Sequence, residues 1–377
     1  MTTASPVPPS PAGCPFNSEF LPPNMRKHVD PAAPVPLRMM AAKTLVPLNP
    51  SDMLGALYML TYDAEQNVRD TAAKSAAGLP DKILSSALRD EGVQPPVLGW
   101  FLGLLKDKDV YAEMLVLNAS TPDEAVADMA ATCSAKLVEI VGQNQLRLLR
   151  HEDIIRKLCS NPNASQALID SVCDFAVRSG LMLADVPQMQ AARVRLFGPQ
   201  AAEAPPDPGP TAEQVLQDFK EDVQDENAAP MEEGKKQNLT QRIMKMSIAE
   251  KIKLATLGNK EARTLLLRDS NKLVCTAVIR SPRITDGEVL ACAMNRAANE
   301  EVLRIIYGNR EWTKNQKIKL ALVKNPKIPL TVVMKFLNSL RDAELKDLAR
   351  DRNVPSGVSQ FAKKLMEKKT TPKKEEK

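Results

Sequence analysis

The apolar positions of residues 317–337, KIKLALVKNPKIPLTVVMKFL, predict two short helices separated by a break. The first helix has one apolar face, because its apolar residues recur three or four positions apart at Ile318, Ala321 and Leu322. Asn325-Pro326 ends it, since proline lacks an amide hydrogen and disfavours the helical conformation of the preceding residue. Neither helix can bury its apolar face alone, so the pattern predicts packing against similar units.

The second helix of this stretch is predicted to open at Pro329, because proline is favoured in the first turn of a helix. Its apolar face is formed by four residues, Val332, Val333, Phe336 and Leu337. We expect this face to lie in a seam between helices.

Looser copies of the stretch recur along the chain. A shift of about 44 residues aligns the stretch with residues 273–293, in which Ser281-Pro282 takes the place of Asn325-Pro326. Other copies cover residues 344–365, 154–176, 111–131 and 68–88, and 251–259 repeats the first helix without its proline. Helix pairs repeated along a chain are typical of an α-solenoid. The alternative is a non-repetitive helical bundle in which Asn-Pro only ends helices.

The run of Val-x-x-x-Ala/Leu, Asn-Pro-x-x-Pro and Leu-x-x-Leu, present in degenerate form at 318–337, resembles the HEAT-like and leucine-rich-repeat-variant families. The resemblance covers most of residues 53–176 and 249–366. It implies a curved stack of helices used for binding, and it carries over no catalytic residues.

Composition divides the chain into five predicted segments. Residues 1–40 hold ten prolines and are expected to be a disordered tail, and 199–238 hold six prolines and a net charge near −7, which predicts a disordered acidic linker. Between and after them, 41–198 and 239–366 are predicted as helical-repeat domains, and 367–377 as a charged tail. The predicted fold class is therefore all-α, with two α-solenoid lobes joined by a disordered acidic linker.

Two local features are ambiguous at this level. Val215, Leu216, Phe219 and Val223 of the linker share one helical face, which indicates either a short docking helix or an incidental pattern. In residues 137–158, Arg147 belongs to a group of basic residues that we interpret as a solvated helix face rather than a positive patch.

Charge is unevenly distributed along the chain. From residue 239 to the last residue, Lys and Arg number 30 against 15 Asp and Glu, a net charge of +15, whereas the whole chain carries +5. The predicted binding residues are basic residues of this second domain: Lys251, Lys253, Arg263, Arg280, Arg283, Arg304, Arg310, Lys317, Lys319, Lys324 and Lys327. A surface with this excess attracts polyanions, so the predicted partner is an acidic protein or a nucleic acid.

Residues suited to catalysis or metal binding are sparse. His28 and His151 are the two histidines, and the six cysteines include no Cys-x-x-Cys pair, which leaves little basis for a metal site or a catalytic triad. We interpret the cysteines as reduced core residues, which predicts a cytoplasmic protein. The N-terminus is unlike a secretory signal, which agrees with this prediction. Because the chain lacks long apolar runs, we expect no membrane insertion. No cofactor is predicted.

The sequence thus favours a non-enzymatic scaffold or adaptor that binds partner proteins on helical-repeat surfaces. The alternative is nucleic-acid binding by the basic second lobe, a class that includes repeat-scaffold enzymes that process DNA. Trp312, beside Glu311, is the candidate for a base-facing residue in that alternative, and an ordinary loop position is the simpler interpretation.

Overall fold

The computed structural model describes residues 13–199, 209–219, 233–351 and 353–370, in which every regular element is a helix. The all-α prediction is therefore confirmed. The chain divides into two compact units, Met1–Arg178 with Met182–Ala204, and Ser179–Leu181 with Pro205–Lys377. No helix within the described ranges is long and apolar enough to span a membrane.

The first unit begins with a 3₁₀-helix at Ser18–Phe20 and continues with helices joined by short turns. Its α-helices are α1 (Pro23–Arg26), α2 (Val35–Ala42), α3 (Pro50–Leu60), α4 (Gln66–Ala77), α5 (Asp81–Leu88), α6 (Pro95–Leu105), α7 (Asp109–Leu117), α8 (Asp123–Ala130), α9 (Ala135–Gln143), α10 (Gln145–Arg150), α11 (Asp153–Ser160), α12 (Gln166–Arg178) and α13 (Pro187–Phe197).

The second unit has the same character. Its helices are α14 (Ala212–Asp218), α15 (Glu233–Lys245), α16 (Ile248–Leu257), α17 (Lys260–Leu266), α18 (Lys272–Ile279), α19 (Asp286–Met294), α20 (Glu300–Gly308), α21 (Arg310–Lys314), α22 (Gln316–Lys324), α23 (Leu330–Leu337), α24 (Asp342–Arg350) and α25 (Ser356–Thr370).

The apolar faces predicted from residues 317–337 are confirmed. Ile318, Ala321 and Leu322 of α22 are buried, as are Val333 and Leu337 of α23, and all five belong to one hydrophobic cluster. Val332, Phe336 and Trp312 are partly buried and pack against the same cluster. Trp312 therefore contributes to packing within this unit.

Residues 13–40 were expected to belong to a disordered tail, and the structure corrects this. Phe16, Leu21 and Met25 are buried in the first unit. The prolines act as helix starts, because α1 and α2 have proline in or beside the first turn, where a missing amide hydrogen costs nothing. Arg38 of α2 forms a buried ion pair with Asp63, which attaches this segment to the rest of the unit. Residues 1–12 lie outside the described residues.

The predicted linker, 199–238, is likewise ordered in part. Residues 212–218 form α14, which begins with a capping box between Thr211 and Gln214 and buries Val215 and Leu216. It packs against α16, and the amide of Ala212 donates to the Glu250 carboxylate (2.8 Å). The docking alternative therefore applies to this face, although Val223 lies outside the described residues. Residues 233–238 belong to α15.

Arg147 also departs from the expectation of a solvated helix face. The guanidinium is buried and donates to the carbonyl oxygens of Thr121 (2.8 Å) and Asn118 (2.6 Å), and it pairs with Asp123. Arg147 therefore holds the turn between α7 and α8 rather than facing solvent.

Candidate binding surface

The predicted basic residues occupy three different environments in the second unit. Arg263 is fully buried, and its guanidinium pairs with Glu288 through Nε to Oε1 (2.9 Å) and Nη2 to Oε2 (3.1 Å). Its Nη1 donates to the carbonyl oxygen of Gly258 (3.0 Å). Arg263 thus has no surface with which to contact a ligand, and its place in the predicted binding set is corrected.

Lys251 and Lys253 on α16 are partly buried beside carboxylates. The Lys251 ammonium lies 2.7 Å from Asp269 Oδ2, and the Lys253 ammonium lies 3.4 Å from Glu250 Oε1. Their charges are therefore largely balanced within the unit.

The remaining predicted residues are spread over several helices and turns. Arg304, Arg310 and Lys317 are exposed, and Arg304 pairs weakly with Glu301 (3.4 Å). Arg280 and Lys319 are half-buried. Because Arg263 is buried and Lys251 and Lys253 are paired with carboxylates, the eleven basic residues do not act as one exposed surface.

Lys324 and Lys327 do lie together, at the turn that follows α22. The turn is organised by Asn325, which is 3% exposed and donates from Nδ2 to the carbonyl oxygens of Ala293 (2.8 Å) and Asn295 (3.1 Å). Its Oδ1 accepts the amide hydrogen of Lys327 (3.0 Å). One side chain therefore shapes its own turn and binds the turn after α19, the helix against which α22 packs.

The same arrangement recurs in the first unit, at Asn118 after α7 and Asn161 after α11. Asn118 Nδ2 donates to the carbonyl oxygens of Leu88 (2.9 Å) and Asp90 (3.1 Å), and Asn161 Nδ2 donates to those of Ala130 (2.8 Å) and Cys133 (3.2 Å). In each case the carbonyls lie about 30 residues earlier in the chain. We call this arrangement an Asn turn. The Asn-Pro pattern of the sequence marked Asn161 and Asn325 but not Asn118, which Ala119 follows, and the bonds between turns were not foreseen.

Side-chain bonds connect three turns of the second unit into what we call the loop edge, defined as residues 295–298, 325–328, Asp351 and 353–354. Asn325 bridges the first and second turns. Lys324 Nζ lies 3.0 Å from Asp351 Oδ2, and Arg296 Nη2 donates to the carbonyl oxygen of Asn353 (2.8 Å). The Asn353 amide and the Lys324 ammonium hold the pKa of the Asp351 carboxyl below its usual range.

A cavity of about 720 Å³ lies beside the loop edge. Lys327 lines it together with Asn295, Ala297 and Ala298 of the first turn, and on another side its lining includes Leu267, Arg268, Asp269 and Ser270. Its carboxylates are internally paired, because Asp269 binds Lys251 and Glu288 binds Arg263. Arg268 and Lys327 are exposed, so the accessible charge of the cavity is positive.

Two exposed cations of the loop edge are held in place by main-chain carbonyls, and the charge of Arg296 also helps to lower the pKa of the Asp351 carboxyl. Lys327 Nζ donates to the carbonyl oxygen of Ala298 (2.8 Å) and approaches that of Ala297 (3.4 Å), while Arg296 donates to Asn353. Arg283, in the turn after α18, similarly donates to the carbonyl oxygen of Leu257 (3.3 Å). Carbonyl partners orient these side chains and leave the charges of Lys327 and Arg283 available, whereas the charge of Arg296 is partly offset by Asp351. Arg296 and Arg268 were absent from the predicted set.

The cavity also contains a cysteine thiol. Cys292 lines it, but burial raises the pKa of this thiol to about 11, which leaves it protonated near neutral pH. Within the part of the chain that the structure describes, no cluster of His, Cys, Asp and Glu is arranged to hold a metal ion. Comparisons of the chain with protein families, with curated proteins and with solved structures give no match.

Proposed function

We propose that this protein is a non-enzymatic interaction scaffold whose second unit binds an acidic protein segment along the loop edge. The helix pairs would act as α-solenoid repeats in two lobes, each turn presenting side chains at one edge of the stack. The partner is recognised by carboxylates, because the accessible charges beside the cavity are cationic.

The observation that carries this proposal is the pairing of Arg296 and Lys327 with main-chain carbonyls. A cation fixed by a neutral acceptor loses little further side-chain entropy when it binds a carboxylate. A cation in a surface ion pair must first exchange its partner, and Arg304 beside Glu301 is in that situation. The loop edge is therefore better prepared for an anionic ligand than an exposed basic position that lies in an ion pair, such as Arg304.

The extent of the cavity supports a segment of chain as the ligand rather than a single ion. Its lining extends from Arg268 to Lys327 and includes apolar atoms of Leu267 and Ala291 between polar groups. The carboxylates of an acidic peptide can bind these cations while the methylene groups of its side chains contact the apolar atoms of the cavity.

The test uses the full chain and a fluorescein-labelled poly-L-glutamate peptide, with binding followed by fluorescence anisotropy at two salt concentrations. The double variant Arg296→Gln/Lys327→Gln removes one Arg and one Lys from the loop edge. The matched control Arg304→Gln/Lys335→Gln removes the same two charges from exposed positions elsewhere in the unit.

We expect the loop-edge variant to weaken peptide binding by about tenfold or more, since charge-assisted hydrogen bonds contribute about 1.5–3 kcal/mol each. The control should lose much less. Equal losses in the two variants would mean that only net charge matters and would contradict the site. A labelled single-stranded oligonucleotide that binds much more tightly than the peptide, and through the same residues, would favour the nucleic-acid alternative.

A further inference from the structure

Two cysteine thiols of the first unit are in contact across consecutive helices. Cys159 lies on α11 and Cys173 on α12, and their Sγ atoms are 3.9 Å apart. Cys173 is fully buried, whereas Cys159 is half-buried. We propose that Cys159 and Cys173 form an oxidative modification site, at which a peroxide converts the two thiols into an intramolecular disulfide.

The surrounding structure holds the two helices at this spacing. Asn161, in the turn between them, binds the carbonyl oxygens of Ala130 and Cys133, and Asn163 Nδ2 also donates to Cys133 (3.0 Å). A disulfide needs the sulfur atoms at about 2.0 Å, so they must approach by about 2 Å. In our proposal, rotation of the two cysteine side chains supplies this movement while the turn stays in place.

The two thiols are not equivalent. The hydrogen bond with Cys173 lowers the pKa of the Cys159 thiol, and this effect outweighs burial, which by itself would raise that pKa. The same contact raises the pKa of Cys173, and burial and the carboxylates of Asp170 and Asp174 raise it further. Cys159 is also the more accessible thiol. We therefore assign Cys159 as the thiol that reacts with the peroxide and Cys173 as the thiol that resolves the product.

The chemistry balances with hydrogen peroxide as the oxidant. The Cys159 thiolate attacks one peroxide oxygen, the O–O bond breaks, and the departing hydroxide is protonated to water, which leaves a sulfenic acid on Cys159. The Cys173 sulfur gives up its proton and attacks the Cys159 sulfur, so that the S–S bond forms as the S–O bond breaks. The second oxygen leaves as water. Two thiols are thus oxidised while one peroxide is reduced to two waters.

Three other cysteines provide internal references. Cys133, Cys275 and Cys292 are buried, and burial raises the pKa of each thiol to about 11. Because thiolates rather than thiols react with peroxide, these residues are expected to react much more slowly. The modification should therefore be selective over these three thiols.

The sequence makes the product simple to measure. Cleavage after Lys157 and Arg178 releases residues 158–178, a tryptic peptide that contains both Cys159 and Cys173. The reduced full chain is treated with graded hydrogen peroxide, denatured in iodoacetamide and digested. We expect peptide 158–178 to escape alkylation and to weigh two hydrogen atoms less than its reduced form, while Cys133, Cys275 and Cys292 remain alkylated at the same dose.

Two variants separate the roles of the thiols. In Cys173→Ser, peroxide should leave a sulfenic acid on Cys159 that dimedone traps, and no disulfide should form. In Cys159→Ser, Cys173 should stay reduced and become alkylated after denaturation. The proposal is overturned if peptide 158–178 of the unaltered chain is alkylated at both cysteines at doses that oxidise the reference thiols. Oxidation of Cys173 at an unchanged rate in Cys159→Ser would overturn the assigned roles.

Discussion

Asn325 donates a hydrogen bond from its side-chain amide to the main-chain carbonyl of Ala293, at 2.8 Å, and both residues are buried. This bond connects the end of α22 to the end of α19. Pro326, the more conspicuous residue of the pair in the sequence, is exposed. The asparagine therefore makes the bonds between helices, and the proline mainly limits the backbone of the turn.

Asn325→Ala is expected to destabilise the second unit by about 1–3 kcal/mol, because it removes two hydrogen bonds and leaves the buried carbonyl of Ala293 short of a partner. The free energy of unfolding from urea titration is the measurement. Asn338→Ala is the matched control, since Asn338 also follows a helix but is exposed. Equal effects of the two substitutions would contradict the assigned role of Asn325.

Ser281 should respond differently, although it follows α18 in a similar turn and its carbonyl accepts the amide of Ile284 (3.1 Å). Its hydroxyl is buried and has no hydrogen-bond partner among the described residues. Ser281→Ala is expected to leave the free energy of unfolding unchanged or to raise it by up to about 1 kcal/mol, because it removes an unsatisfied polar group. A loss larger than about 1 kcal/mol would show that the hydroxyl is bound.

Arg263→Met is expected to destabilise the second unit by about 3–5 kcal/mol, because it leaves the buried carboxylate of Glu288 without its cation. Arg304→Met provides the control, since that guanidinium is 68% exposed and its loss should cost about 0–1 kcal/mol. Thermal and urea unfolding of both variants give the comparison.

A second substitution shows whether Arg263→Met destabilises the unit by leaving Glu288 unpaired or by removing packing around the guanidinium. Glu288→Gln removes the charge of this side chain but keeps an oxygen acceptor. In the unaltered chain, Glu288 Oε2 accepts hydrogen bonds from the Thr285 amide (2.9 Å) and the Thr285 hydroxyl (2.7 Å), and the glutamine oxygen can accept the same bonds. Added to Arg263→Met, Glu288→Gln should recover part of the stability. A double variant no more stable than Arg263→Met would indicate that packing around the guanidinium dominates.

The first unit should lose stability in acid through Asp123. Burial alone raises the pKa of this carboxyl, but hydrogen bonds and charge from Arg150 and Arg147 outweigh it, so the pKa lies below its ordinary value. A lowered folded-state pKa contributes stability above the unfolded pKa of about 4, and this contribution is lost as pH falls through the folded pKa.

Urea unfolding between neutral pH and pH about 3 tests this expectation. Asp123→Asn should be less stable than the unaltered chain at neutral pH, and the difference should shrink as the pH falls below about 4. A difference that stays constant over this range would show that Asp123 contributes no pH-dependent stability.

Several elements could be predicted because their signals are local. The faces of α22 and α23 follow from residues three or four positions apart, and their ends follow from Asn325-Pro326 and Pro329. The shared face of Val215, Leu216, Phe219 and Val223 likewise indicated a docking helix as one of two alternatives, and α14 is the helix found there. The expected disorder of residues 13–40 was wrong because proline content was weighed above the apolar anchors Phe16, Leu21 and Met25, whose burial depends on distant helices.

The sequence by itself determined the helical class of this protein, most helix faces and the surplus of positive charge in its second half. Only the tertiary structure decided the environment of each charge: Arg263 and Arg147 are internal, whereas Arg296 and Lys327 are exposed and bound to carbonyls of neighbouring turns. The physical reason is how far apart along the chain the interacting residues lie. Helix periodicity and capping depend on residues a few positions apart, but burial and pairing of a charged side chain depend on partners 25 to 57 residues away, which packing brings into contact.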